Sequence, residues 1–219
     1  MIVERDVEIP CSDGSVVRAD IFRPDLSTDP DTAVPVVMTL GPYAKGLPYA
    51  EGYAPSWKWM TERHPDLLPG SSRELMTWET VDPETWVPWG YAVIRVDSRG
   101  AGRSPGRLDI FCPREIEDFY DAIEWAGTQP WSNGKVGLNG ISYYAITQWL
   151  IAARQPPHLA AIVPWEGAND YYREFGRHGG ILSNAFAEVW YPLQVISVQH
   201  GNAKAPRDPW LGEAVSGPE

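Results

Sequence analysis

The stretch Lys135-Val136-Gly137-Leu138-Asn139-Gly140-Ile141-Ser142-Tyr143-Tyr144-Ala145-Ile146-Thr147 decides how the chain is read. Lys135 to Leu138 forms a short apolar run suited to a strand, and Tyr143 to Arg154 reads as a helix ended by Pro156-Pro157. A serine in a glycine-containing turn between them has the layout of a nucleophile elbow. In such an elbow a strained turn exposes Oγ at the sheet edge and aims a helix N-terminus at the reacting carbonyl. The generic G-x-S-x-G pattern would place Gly at 144, where this chain has Tyr144; the nearest small residue is Ala145. A Ser after a Gly is also an ordinary turn residue, so the catalytic reading rests on the placement between strand and helix.

Outward from the elbow, strands and helices alternate. Residues 2–9 and 15–23 alternate in the strand period around the turn Cys11-Ser12-Asp13-Gly14, which predicts a hairpin. Val34 to Leu40 and Tyr91 to Val96 are near-continuous apolar runs, as in strands covered on both faces. Ile116, Phe119, Tyr120 and Ile123 mark the buried stripe of a helix whose acids, Glu115, Glu117, Asp118 and Asp121, lie mostly off it and suit its N-terminus. Leu159 to Val163 is a further strand. The pattern predicts an α/β fold with a mostly parallel sheet and helices on both faces. Residues 43–88 are rich in Pro, Gly and Trp without sustained period, a long excursion holding one or two short helices. Loops of that length are usually functional.

Four segments in order, Gly41-Pro42-Tyr43-Ala44-Lys45, Asp97-Ser98-Arg99-Gly100-Ala101-Gly102-Arg103-Ser104-Pro105-Gly106, Gln129-Pro130-Trp131-Ser132-Asn133-Gly134 and Gly140-Ile141-Ser142-Tyr143, resemble the cocaine-esterase-like (CocE/NonD) hydrolases, α/β-hydrolases related to the X-Pro dipeptidyl-peptidases. The likeness runs from about residue 2 to about residue 200. In that family the small residue of the elbow commonly comes one position later, so Tyr144-Ala145 is a mild departure. The resemblance implies Ser142 as nucleophile, with the Tyr43 hydroxyl and the Tyr143 backbone N–H as oxyanion donors. The bland alternative for Tyr43 is a loop aromatic packed against its neighbours. Asp97, Arg99 and the following glycines read as structural, and Trp165 is a candidate substrate contact.

A serine needs a histidine base oriented by an acid, in chain order Ser, Asp or Glu, His. His158 precedes every candidate acid, while Asp170 with His178 or His200 has the permitted order. The family places both residues far downstream, after a helical cap, and Trp165 to Tyr172 looks like the start of that cap. His200 is therefore expected to be a surface or cap histidine. The expected organisation is residues 1–165 as the N-terminal part of an α/β-hydrolase domain, 166–200 as the start of the cap and 201–219 as an irregular tail. The fold is thus expected to be truncated after about the sixth strand, which is left with an unpaired edge open to self-association.

The 219 residues are compatible with one domain at about 150 residues each, with an elaboration. A formal net charge of −11 argues against nucleic acid and anionic membrane. Cys11 and Cys112 form no metal or disulfide pattern, no glycine loop implies a cofactor, and no run reaches the about 18 apolar residues that span a bilayer. With an acidic start unlike a signal peptide, these features lead to the expectation of a soluble, cytoplasmic protein without cofactor or metal. The expected activity is hydrolysis of a small-molecule ester or amide, or a peptide, through an acyl-enzyme on Ser142, impaired in this chain alone because the Asp and His partners are missing. The alternative is a noncatalytic remnant or binding module of the same fold.

Overall fold

The computed structural model describes residues 1–27, 32–67 and 69–217. Strands β1 (Ile2–Pro10), β2 (Val16–Arg23), β3 (Val34–Gly41), β4 (Ala92–Asp97), β5 (Ser132–Ile141) and β6 (Leu159–Trp165) form one sheet in the order β1-β2-β4-β3-β5-β6. The β1–β2 hairpin turns at Gly14, whose φ of 84° is one that L side chains rarely adopt. β2 pairs antiparallel with both β1 and β4, and the β3–β4, β3–β5 and β5–β6 pairings are parallel, with Val37 opposite Val93, Met38 opposite Leu138, and Leu138 opposite Ile162. The expected mostly parallel sheet is therefore present, and β6 forms its edge among the described residues.

The apolar runs alternate between two faces. Val36, Met38, Leu40, Ile94, Val96, Val136 and Leu138 point to one side, where α4 (Pro113–Gly127) lays Ile116, Phe119 and Ile123 and α5 (Tyr143–Ala152) lays Ile151. Each such side chain removed from water contributes about 1.5–3 kcal/mol, so this layer carries most of the stability. The opposite face is covered more lightly. There Phe22, Val87 and Val93 pack with Leu75, Val81 and Trp86 from the excursion, which holds α1 (Tyr49–Gly52), α2 (Ala54–Arg63) and α3 (Pro83–Trp86). α4 starts at Pro113, with Cys112 Sγ accepting from the Glu115 N–H. Contrary to the reading of its acids as polar-face residues, Glu115 and Asp118 are buried. Asp118 is held by Arg99 and Arg114, and Glu115 faces the elbow.

Beyond β6 the chain makes a small hairpin, β7 (Arg177–His178) with β8 (Ile181–Leu182), and α6 (Asn184–Trp190). Residues 199–217 then fold back on the loop after β4. The Gly102 N–H donates to the Val198 carbonyl, the His200 N–H to the Gly100 carbonyl, and Arg103 pairs with Glu213. No helix among the described residues is long and apolar enough to cross a membrane.

Candidate active site

β3, β4, β5 and β6 all end on one edge of the sheet, at Gly41, Asp97, Ile141 and Trp165. This is the carboxyl edge, where α/β sheets place their ligands. Ser142 stands there between β5 and α5 with φ 57° and ψ −112°, a conformation disfavoured for any residue with a Cβ. Its N–H donates to the Trp165 carbonyl at 3.0 Å, which ties the turn to β6, and its own carbonyl accepts from Ala145 and Ile146. The side chain of Trp165 is exposed.

The Tyr at 144 is accommodated by glycines elsewhere. A Cβ at Gly41 would meet the Tyr144 ring at 2.5 Å, and one at Gly140 would meet Tyr144 Cβ at 2.4 Å. A Cβ at Gly167 would likewise lie 2.6 Å from Ala145 Cβ. The close strand–helix approach that the generic pattern secures with one glycine is here secured by neighbours of the bulky residue.

Tyr43 lies beside the elbow, its ring 5.9 Å from that of Tyr143 and 5.6 Å from that of Tyr144. Its hydroxyl accepts from the Trp190 indole N–H at 3.1 Å, which leaves the phenolic proton free to be donated. Burial, with the charge of Glu79 adding to it, pushes this hydroxyl well above the ordinary tyrosine range, so it stays protonated. As the first residue of α5, Tyr143 has no intrahelical acceptor for its N–H. Its side chain is turned away: the hydroxyl lies 2.7 Å from both oxygens of Glu115, a carboxylate that also accepts from the Ser98 hydroxyl and the Phe111 N–H.

The loop bearing Tyr43 is fixed from below. Asp97 accepts from the Lys45 N–H at 2.6 Å and the Arg103 N–H at 2.9 Å. Lys45 Nζ, itself buried, lies 3.1 Å from Asp20, 3.2 Å from Asp6 and 3.8 Å from Asp97. Burial would raise Asp20, but Lys45 and Arg5 outweigh it and hold the group below its usual range. At Asp97 burial wins over Lys45, and the carboxyl is pushed up to about 6. The reading of Asp97 and Arg99 as structural agrees with these contacts and with the Arg99–Asp118 pair.

Ala44, Glu79, Phe111, Ser142 and Glu166 are non-glycine residues at positive φ, between 50° and 64°. All five lie on the segments surrounding the elbow. Such strain persists only where its surroundings over-determine it, and it concentrates at functional sites. The sequence reading singled out Ser142 and missed Glu79, Glu115 and Trp190. The only local signal for Glu79 was its place in a long excursion, and Glu115 was read as a dipole-complementing acid.

Each histidine after Ser142 is engaged elsewhere. His158 bonds Glu124 at 2.7 Å, where β6 begins and therefore at the opposite end of the sheet. His178 contacts the Glu174 carbonyl, and His200 contacts the Gly102 carbonyl at 3.1 Å. Asp170 pairs with Arg173 and meets no histidine among the described residues.

Comparison with known proteins agrees with this architecture. The X-Pro dipeptidyl-peptidase (S15) family matches residues 13–213. The chain is 30% identical over 196 residues to a cocaine esterase of a Rhodococcus species, covering 87% of this chain and 28% of that protein. It is 23% identical to an Xaa-Pro dipeptidyl-peptidase of Lactobacillus helveticus, covering 77% of this chain and 26% of the relative. A CocE/NonD family hydrolase structure from Staphylococcus aureus superimposes with a TM-score of 0.73 at 40% identity, covering 88% of this chain and 32% of that one. The chain thus spans about a third or less of the length of these relatives.

Proposed function

The chain belongs to the X-Pro dipeptidyl-peptidase (S15) family of serine hydrolases, and from that premise we propose that its carboxyl-edge site attacks an ester or amide through Ser142. The observation that carries the reading is the strained Ser142 at the start of α5, beside a protonated Tyr43 hydroxyl with its proton to spare. Attack of Oγ on the carbonyl carbon gives a tetrahedral oxyanion that the Tyr43 O–H and the Tyr143 N–H receive. Collapse expels the alcohol or amine and leaves an acyl-enzyme, which water hydrolyses. Donors of this kind are worth about 2.7–4 kcal/mol each in the transition state. Trp165, on the rim with its side chain exposed, is a candidate substrate contact.

An imidazole base would take the proton from Oγ. With His158, His178 and His200 engaged elsewhere, turnover by these residues alone is limited to oxyanion and binding effects, roughly 10³–10⁴ over water. The same engagement favours a second reading, a binding module built on the hydrolase pocket. The unpaired edge of β6 is the proposed surface for self-association, and the two unpaired cysteines suit a cytoplasmic setting.

A fluorophosphonate probe tests the assignment. Slow covalent labelling that disappears in Ser142→Ala is expected. Labelling unchanged in the variant would remove Ser142 as nucleophile, and brisk labelling of the wild type would overturn the slow-turnover reading.

A further inference from the structure

α6 continues past Trp190 through a wider turn, Tyr191–Val195, and a tight one, Ile196–Val198, so that Asn184 to Val198 is one helical run. Its inner side is fully engaged. Trp190 and Val195 pack with Tyr43, Tyr143 and Tyr144, and Val198 packs with Ala44 and Leu47. Its outer side carries Phe186, Val189, Leu193 and Ile196 at helical spacing, and Ile181 and Leu182 lead into the run from β8. These six apolar residues are between 39% and 77% exposed among the described residues. A helix that is apolar on both sides is ordinarily buried on both.

The open surface has the size of an interface. At roughly 200 Å² for a whole large side chain, the six residues leave on the order of 600 Å² of apolar surface in water. That is the upper end of the about 300–600 Å² of a typical monomer's largest patch. With a polar rim it approaches the about 800 Å² that one partner contributes to a stable complex.

Electrostatics selects a second copy of this chain as the occupant. The net charge is −11, so two copies repel one another over most of their surfaces. From Gly179 to Ala203, however, Glu188 is the one Asp, Glu, Lys or Arg. Like-charged chains can meet there at the least cost. An anionic membrane is repelled by the same net charge, and the run carries no Lys or Arg to hold a lipid headgroup. A two-fold antiparallel pairing sets Val189 against the partner's Leu193 and Phe186 against the partner's Ile196. The same symmetry brings Glu188 opposite the partner's Gln194, an amide, and keeps the two Glu188 carboxylates apart.

We propose that the outer side of residues 184–198 is a two-fold interface between copies of this chain. Docking there holds Trp190, on the inner side of the same run, against the Tyr43 hydroxyl to which it donates. The interface is distinct from the edge of β6, where Gln148 Oε1 already accepts from the Val163 N–H at 2.9 Å, and it does not depend on Ser142 chemistry.

Sedimentation equilibrium of the full chain from about 1 to about 100 µM tests the proposal. The wild type is expected to reach twice the mass of one chain within that range. The double variant Val189→Glu with Leu193→Glu should weaken the dimer at least about 100-fold, and Val189→Lys with Leu193→Lys should do the same. Both positions are exposed, so folding, checked by circular dichroism, should be kept. Mixing the two double variants should restore a dimer, because the pairing sets each glutamate opposite a lysine. If a charged variant fails to fold, Val189→Ser with Leu193→Ser should weaken the dimer at least about ten-fold. A wild type that stays monomeric, with or without binding to phosphatidylcholine vesicles, overturns the proposal. So does a dimer that survives in the folded variants, since association then runs through another surface such as the β6 edge, and so does a mixture of the charged variants that remains monomeric.

Discussion

The Tyr143 hydroxyl lies 2.7 Å from both carboxylate oxygens of Glu115, so the residue that follows the elbow serine is anchored to the first turn of α4. Glu115 also receives the Ser98 hydroxyl and the Phe111 N–H, and Phe111 stacks on the Tyr143 ring at 4.2 Å. Glu115→Ala would leave three donors without an acceptor. At about 1–3 kcal/mol for each unmade buried bond, the variant should lose at least about 3 kcal/mol in urea unfolding. A loss below about 1 kcal/mol would show that the anchor is dispensable.

Tyr43→Phe removes the donor proposed for the oxyanion and leaves the Trp190 indole N–H without its acceptor. The second-order rate of fluorophosphonate labelling should fall about 10²- to 10³-fold. Stability should fall by only about 1–2 kcal/mol, because the ring and its packing are kept. A labelling rate within three-fold of wild type would remove Tyr43 from the reaction.

Ser142→Gly relieves a backbone conformation that costs a residue with Cβ of order 1–3 kcal/mol. Glycine loses more freedom on folding, about 0.5–1 kcal/mol, so a net gain of about 1 kcal/mol is expected in thermal or urea unfolding, together with loss of labelling. A destabilised variant would mean that the elbow is not strained.

Lys45→Met takes the cation from between Asp6, Asp20 and Asp97 while keeping the apolar stem. Breaking a buried pair from one side costs about 3–5 kcal/mol. Because Asp97 also holds the Lys45 N–H, the Tyr43 loop should loosen, seen as faster hydrogen exchange across residues 43–47. Stability and exchange equal to wild type would contradict the network's role.

Burial, with Glu166 adding to it and the Trp78 indole partly offsetting it, pushes Glu79 from an ordinary value near 4.5 up to about 8. The folded protein therefore holds this proton more tightly than the unfolded chain. The corresponding stability is full below about pH 4.5 and is lost as pH rises through about 8. Relative to wild type, Glu79→Gln should gain about 2–3 kcal/mol between pH 5 and pH 9 after allowance for solvent screening. Parallel stability curves for the two proteins over that range would refute the shift.

Much of this molecule was legible along the chain. The two-residue period of residues 2–9 and 15–23, the apolar runs of β3 and β4, and the stripe Ile116, Phe119 and Ile123 each report burial of a local element, because strand and helix geometry map sequence spacing directly onto a face. The elbow was legible for the same reason: strand, turn and helix are contiguous. The surroundings of Ser142 were decided by tertiary structure alone. Glu79, Glu115 and Trp190 come from an excursion, a helix start and the region after β6, and no spacing relates them. They meet because parallel strands carry every following loop to one sheet edge, where the cost of burying a polar group is met only by whichever partners the fold delivers there.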